Sequence, residues 1–238
     1  EEIGTLIEKD QVLSAKVLRL ANSPFYGFPS RIASVAHAVV VLGLNVVKGL
    51  TLCATAFDMM RNAGMNELWR HSLGVAMTAH ILGTKAAMKN PEEVFVAGLL
   101  HDIGKVVLYV KWPDVGQQIT TVTRNTSRPL MDTEQELFEV THADVGGWLA
   151  SAWHLPTSLR EPILHHHTPA AAQDAKLQTA IVHVADVLVK GLACGNPGDD
   201  LVPPLSRQAW DLVGLDAQSL AHCLAQATEE FQTIDDYL

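Results

Sequence analysis

The chain has 238 residues, of which 48% are hydrophobic and 18% charged, and this balance indicates a well-packed globular protein rather than a disordered one. Its net charge of −9 and its pI near 5.6 argue against non-specific attraction to nucleic acid or to an anionic membrane. The three cysteines, which show no CxxC spacing, support neither a disulfide framework nor a cysteine zinc site, and they favour a reducing, cytoplasmic compartment.

The N-terminal part of the sequence predicts short helices joined by turns. Asp10 can cap a helix that runs from Gln11 to Asn22. A turn-rich segment with three aromatic residues, 23–29, separates this helix from a second one, which Ser34 can cap and Gly43 can end.

Two short helices joined at Gly43 could form a DNA-reading helix-turn-helix. The second of them, which begins at Asn45, carries Lys48 but no polar face for reading bases, so we interpret the pair as packed helices. The region 35–57 is the most apolar of the chain, yet polar residues interrupt it, and no membrane-spanning segment or signal peptide is recognisable. The chain opens without methionine, as a piece of a longer protein would.

The middle of the chain contains an apolar run that ends abruptly in polar residues. Asn90 and Pro91 are typical of a helix start, and the run that follows them leads to His101 and Asp102. Gly104 is predicted to stop this helix, which would leave His101 and Asp102 in its last turn. Because an ionised carboxylate on a buried face is costly unless a metal or a donor meets it, this ending suggests metal ligation.

Helical patterns continue to the C-terminus. The polar stretch 111–128 predicts helix and loop, and capping boxes are predicted at Thr133–Glu136 and Ser158–Glu161. His142 leads one further helix, and another covers Leu177–Lys190. Since no stretch alternates with period two, the sequence predicts an all-α fold.

Residues of metal-ligand type recur along these helices: His71, His101, Asp102, His142, the three histidines at 165–167, and Asp186. Histidine nitrogens and carboxylate oxygens without thiolates suit iron, manganese or zinc, and they would tolerate magnesium. Two ions that share a bridging carboxylate could clamp a phosphoryl group and generate hydroxide for in-line attack. Lys105 could then hold a phosphate, or it could neutralise a helix C-terminus.

The order of these residues resembles the HD superfamily of metal-dependent phosphohydrolases. The core ligands of that superfamily are a His, a His-Asp pair and a later Asp, which correspond here to His71, His101 with Asp102, and Asp186. The segments that carry a closer resemblance, to the HDOD family of bacterial signalling domains, are 6–10, 13–23, 69–72, 101–105, 142–146, 153–156 and 182–186.

The HDOD resemblance implies a multi-helix HD-like core with an N-terminal helical subdomain. It divides the chain into an N-terminal helical portion at 1–62, a metal-binding core at 63–192 and a C-terminal helical segment at 193–238. The cofactors that it implies are divalent metal ions, two of them on the ligand set present.

The sequence also resembles the HD-GYP cyclic-di-GMP phosphodiesterases in Lys105, His142 and the paired histidines His166 and His167. This resemblance adds the three histidines to the metal ligands. Glu67, four residues before His71, falls where some HD-GYP proteins place an additional ligand, and it is either a ligand or a solvated helix charge. The Gly-Tyr-Pro segment of that family is replaced here by 168–172.

Two functions follow from these resemblances. The first is a signalling or interaction module that retains an HD-type metal site and acts on protein partners. The second is a metal-dependent phosphohydrolase or phosphodiesterase for a nucleotide or cyclic dinucleotide, with Asp102 and Lys105 in catalytic roles. Neither function involves nucleic acid as a partner.

Overall fold

The computed structural model describes residues 7, 10–23 and 31–232, and within these ranges every regular element is a helix. The prediction of an all-α fold is therefore confirmed. Most of the predicted aromatic link lies outside the described residues. No helix among the described residues is both long and apolar enough to cross a lipid bilayer.

The helices of the first half are α1 (Gln11–Ala21), α2 (Val35–Leu42), α3 (Leu44–Asn62), α4 (Asn66–Lys85), α5 (Pro91–Leu100) and α6 (Ile103–Lys111). Those of the second half are α7 (Pro113–Thr126), α8 (Leu130–Phe138), α9 (His142–Ala152), α10 (Thr157–His165), a short 3-10 helix (Pro169–Ala171), α11 (Lys176–Gly191), α12 (Arg207–Val213) and α13 (Ala217–Phe231).

Side-chain caps start the first two helices as predicted. The carboxylate of Asp10 accepts hydrogen bonds from two backbone N–H groups of α1, both at 3.0 Å. The hydroxyl of Ser34 accepts one from the N–H of His37 at 3.1 Å. Gly43 then adopts a φ of 86°, which L residues rarely adopt, and α2 ends there.

Helix α3 packs into the core instead of presenting a reading face. Val46, Leu50 and Cys53 are buried along it, and α3 contacts α5. At Gly49 a Cβ atom would lie 2.2 Å from Cγ1 of Val96, so the absence of a side chain lets the two helices meet. The burial supports the interpretation of α2 and α3 as packed helices.

Helices α4 and α5 form the centre of the fold. Almost every residue of α4 from Leu68 to Gly83 is buried, because α5, α11 and α13 all pack against it. The closest approach of α5 is at Gly98, where a Cβ atom would lie 2.7 Å from the Cα of Ala76. This approach brings the C-terminal end of α5 beside His71 of α4.

Gly104 does not stop a helix, which corrects the prediction. Helix α5 ends at Leu100, and Gly104 lies in the first turn of the next helix, α6. A Cβ atom at Gly104 would lie 1.9 Å from the carbonyl oxygen of His142. The glycine is therefore needed for the close approach of α6 to the N-terminus of α9.

Both predicted capping boxes are wrong. Thr133 lies inside α8, which begins at Leu130 after a proline, and Ser158 lies inside α10, which has no side-chain cap. The true capping box of this region is Thr141 with Asp144, at the start of α9. It places the backbone of the next residue, His142, in the first turn of that helix.

Candidate metal centre

The first group of candidate ligands gathers around the junction of α5 and α6. His101 directly follows α5, Asp102 precedes α6, His71 comes from α4 and Asp186 from α11, and all four side chains are buried. Oδ1 of Asp186 lies 3.0 Å from Nε2 of His71 and 4.0 Å from Nε2 of His101. Oδ2 of Asp102 lies 3.8 and 3.3 Å from the same two nitrogens. We call these four residues the first ligand set.

The second group lies on the other side of the same carboxylate. His142 begins α9, and His166 and His167 directly follow α10. Oδ1 of Asp102 lies 3.2 Å from Nε2 of His142 and 3.8 Å from Nε2 of His166, while Nε2 of His142 and His167 are 3.0 Å apart. We call the three histidines together with Oδ1 of Asp102 the second ligand set.

The buried polar atoms of the centre fit metal binding. Nε2 of His101, Nε2 of His166 and Oδ1 of Asp102 are buried and have no hydrogen-bond partner. Unpaired buried polar atoms are costly, so their convergence calls for a cation. The donors are nitrogen and oxygen atoms, and each set offers three or more of them within ion-binding distance of one another.

Electrostatics hold the carboxylates ionised. Burial alone would raise the pKa of Asp102, but the neighbouring His101 and Lys105 hold that pKa well below its usual range. The pKa of Asp186 is likewise held well below its usual range, since the hydrogen bond and charge of His71 outweigh burial. Ionised carboxylates are the form that binds a metal.

The paired histidines are held neutral. Burial lowers the pKa of His166 and of His167 well below the usual value, and repulsion from neighbouring histidines lowers it further. A neutral imidazole has a lone pair to offer a metal, whereas a protonated one has none. The second ligand set is therefore electrically suited to accept a cation.

Backbone carbonyls fix the ring orientation of two ligands. Nδ1 of His101 lies 2.7 Å from the carbonyl oxygen of Gly98, and Nδ1 of His166 lies 2.9 Å from that of Ile163. Because a carbonyl can only accept, both rings donate from Nδ1 and turn Nε2 toward Asp102.

A buried carboxylate contacts the side of the His142 ring that faces away from Asp102. The sequence analysis did not identify it. Glu134 of α8 is 0% exposed, and its Oε2 lies 2.6 Å from Nδ1 of His142 and accepts a hydrogen bond from the backbone N–H of the same residue at 2.8 Å. The signal in the sequence was the spacing of Leu130, Thr133 and Glu134, which share the buried face of α8. The capping-box interpretation concealed it.

Lys105 connects the centre to an open cavity. Its Nζ donates to Oδ2 of Asp102 at 2.8 Å, and attraction from Asp102 raises the pKa of Lys105 despite the opposing effect of burial. The cavity measures about 570 Å³ and is also lined by Tyr109, Thr123 and Arg124. Loop 196–201, which follows α11, forms part of its wall.

Glu67 lies apart from both ligand sets. It is exposed near the start of α4 and lines the cavity beside Lys105, while its backbone carbonyl accepts a hydrogen bond from Asn196. His183 of α11 is hydrogen-bonded within the fold: its Nδ1 lies 2.7 Å from the carbonyl oxygen of His166, and its Nε2 accepts from the N–H of Ser206.

The family model described as the HDOD domain matches residues 1–169. The chain belongs to the HDOD domain family. The matched range includes six of the seven residues of the two ligand sets, and Asp186 of α11 follows it. The resemblance to the HDOD family drawn from the sequence is therefore confirmed.

Relatives of this HDOD domain share its fold. A structure of an HDOD domain protein of unknown function from Geobacter sulfurreducens is 28% identical, with a TM-score of 0.77, and the match covers 100% of this chain and 86% of that one. A proposed signal transduction protein from Marinobacter aquaeolei VT8 is 20% identical with a TM-score of 0.72, over 99% and 53% of the two chains. A proposed phosphohydrolase from Shewanella amazonensis SB2B is 24% identical with a TM-score of 0.67, over 94% and 82%.

A curated relative is longer than this chain. An uncharacterised protein of Treponema pallidum (strain Nichols) is 25% identical over 206 residues, which are 84% of this chain and 40% of the relative. The chain thus spans less than half the length of that relative.

Proposed function

We propose that this HDOD domain is a metal-dependent phosphohydrolase in a signalling protein, with a nucleotide or cyclic dinucleotide as its substrate. One observation carries the proposal. The two oxygens of Asp102 face two different ligand sets, an arrangement that would let one carboxylate serve two ions. A bridged pair of ions is the arrangement that many phosphoester hydrolases use.

The residues of the centre have different proposed roles. Asp102, with the first and second ligand sets, would hold two divalent ions, which supply Lewis-acid polarisation of a phosphoryl group and hydroxide at neutral pH. Lys105 keeps its positive charge beside Asp102 and lines the cavity, where it can attract and orient a phosphate. The burial of the ligands gives them a low-dielectric environment, which strengthens their attraction for an ion.

The proposal is tested with anaerobically purified protein. Metal content is measured by mass spectrometry, and hydrolysis of a general phosphodiester, of nucleotides and of cyclic dinucleotides is measured with manganese or ferrous iron. We expect two ions per chain and metal-dependent turnover that Asp102→Asn abolishes. Asp114→Asn, on the exposed start of α7, is the matched control and should change neither quantity.

Metal-loaded protein that hydrolyses no phosphoester in the panel would refute the enzymatic proposal. Protein that binds no metal under anaerobic conditions would refute the centre itself. Equal turnover by wild type and Asp102→Asn would show that any activity arises elsewhere.

A second candidate is a signalling module whose ions are structural. The observation that favours it is the burial of the ligands: His71, His101 and His166 are each at most 1% exposed. Here the ions would lock α4, α5, α10 and α11 together, and the helical surface would bind a protein partner. This candidate predicts that metal removal lowers the melting temperature while no substrate in the panel is turned over.

A further inference from the structure

We infer that Glu134 is a positioning residue for the second ion: it fixes the tautomer and orientation of His142 so that Nε2 is presented beside Asp102. The inference rests on the metal centre of the proposed function and adds to it a residue outside the ligand motifs. Glu134 touches neither ligand set except through His142.

The geometry leaves one arrangement of the His142 ring. Oε2 of Glu134 is 2.6 Å from Nδ1, and a carboxylate oxygen accepts, so we assign the proton to Nδ1. The lone pair is then on Nε2, which is the atom 3.2 Å from Oδ1 of Asp102 and 3.0 Å from Nε2 of His167. A ring turned over would place the protonated nitrogen in the second ligand set and block the ion.

The same oxygen also holds the backbone at this point. The N–H of His142 belongs to the first turn of α9, where backbone donors have no partner within the helix. Oε2 of Glu134 accepts this N–H at 2.8 Å. The ring and the main chain of His142 are thus fixed by one atom, and the negative charge is favourable at a helix N-terminus.

Burying a carboxylate in this position lowers the stability of the fold, so its presence suggests a functional role. Glu134 is 0% exposed, and its second oxygen, Oε1, is buried without a hydrogen-bond partner. The ligands His101 and His166 use neutral backbone carbonyls for the same purpose. A charged acceptor makes a ligating imidazole more basic, which is a gain for metal binding that stability alone does not require.

The test measures each ion separately. Apo protein is titrated with Mn²⁺, and free Mn²⁺ is followed by electron paramagnetic resonance for wild type, Glu134→Ala and the isosteric Glu134→Gln. We expect the dissociation constant of one ion to rise by about 10–100-fold in Glu134→Ala and by less in Glu134→Gln. The other ion, held by the first ligand set, keeps its affinity. Glu136→Gln, on the exposed face of the same helix, is the control.

A second readout reports the tautomer directly. Protein labelled with ¹⁵N-histidine and loaded with Zn²⁺ should show the His142 ring protonated at Nδ1 in wild type, and this signal should be lost or shifted in the Glu134 variants. Circular dichroism shows whether each variant is folded; if Glu134→Ala does not fold, Glu134→Gln carries the test.

The outcomes separate this inference from the proposed function. Two ions bound with unchanged affinities in both variants would overturn the role of Glu134 and leave the proposed function standing. Selective loss of one ion supports the inference even when no phosphoester is hydrolysed. A wild type that binds no Mn²⁺ would overturn both.

Discussion

Replacing Gly104 with alanine should damage both the stability of the protein and its second metal site. The added Cβ would lie 1.9 Å from the carbonyl oxygen of His142 and 2.9 Å from the backbone nitrogen of Gly146. Both partners are backbone atoms of α9, so no side-chain rotation relieves the clash. Reaching 3.0 Å, the lower limit of real Cβ contacts, requires α6 and α9 to separate by about 1.1 Å.

The cost can be bounded from known overpacking effects. We expect a loss of about 3 kcal/mol, the upper end of the usual range, because rigid backbone opposes the new methyl group. For a domain of this size, that corresponds to a fall in melting temperature of about 6–12 °C. Asp102 precedes α6 and His142 begins α9, so the separation also lengthens the 3.2 Å distance across the second ligand set.

The assay is urea denaturation with a parallel Mn²⁺ titration. Gly191→Ala is the control, because a Cβ at the end of α11 meets no atom within 4 Å and should stabilise the fold by up to about 1 kcal/mol. A Gly104→Ala variant as stable as Gly191→Ala, with two ions bound at wild-type affinity, would refute the argument that the glycine sets the approach of α6 to α9.

Three further predictions concern Lys105, the bound metal and Glu161. Lys105→Gln should keep both ions, since it removes a positive charge from beside Asp102, while lowering turnover by about 10²–10³-fold; equal turnover would place Lys105 outside the reaction. Saturating metal at about 1,000 times its dissociation constant should stabilise the fold by about 4 kcal/mol for each ion bound, and chelation should remove that gain in a thermal melt. Glu161, which accepts backbone N–H groups from residues 173–175, has a pKa held below its usual 4.5 by those hydrogen bonds, which outweigh burial. Its stabilisation is present above pH 4.5 and is lost as the pH falls through the folded-state pKa, so the stability gap between wild type and Glu161→Gln should close in acid; a gap that stays constant would contradict this.

The sequence predicts the clustering of these side chains because residues of metal-ligand type are recognised by their type and order. His71, the His101-Asp102 pair and Asp186 lie far apart along the chain, and the fold brings them together as the HD resemblance implies. Helix starts such as that at Asp10 were also predictable, because a local side chain supplies the cap.

Features that depend on tertiary contacts could not be predicted from the neighbouring sequence. The start of α8 is capped by Asp199, which accepts the N–H of Leu130 across 69 residues of sequence, and so the Thr133–Glu136 pattern was misleading. Gly104 resembles a helix stop in sequence, yet its role is set by the backbone of α9. The sequence indicates only that Glu134 lies on the buried face of α8; its role could not be predicted, because its partner is a ring on another helix.

The segment where this chain departs from the HD-GYP enzymes joins the two ligand sets. After His167 the chain forms a short 3-10 helix, and Glu161 of α10 then holds the backbone of 173–175 just before α11 begins. Helix α10 leads to the histidines of the second set, and α11 carries Asp186 of the first. His183 also connects α11 to the paired histidines, because its Nδ1 donates to the carbonyl oxygen of His166. A change in 168–175 would therefore move Asp186 relative to the paired histidines, so this segment sets the spacing of the proposed ions whatever substrate they meet.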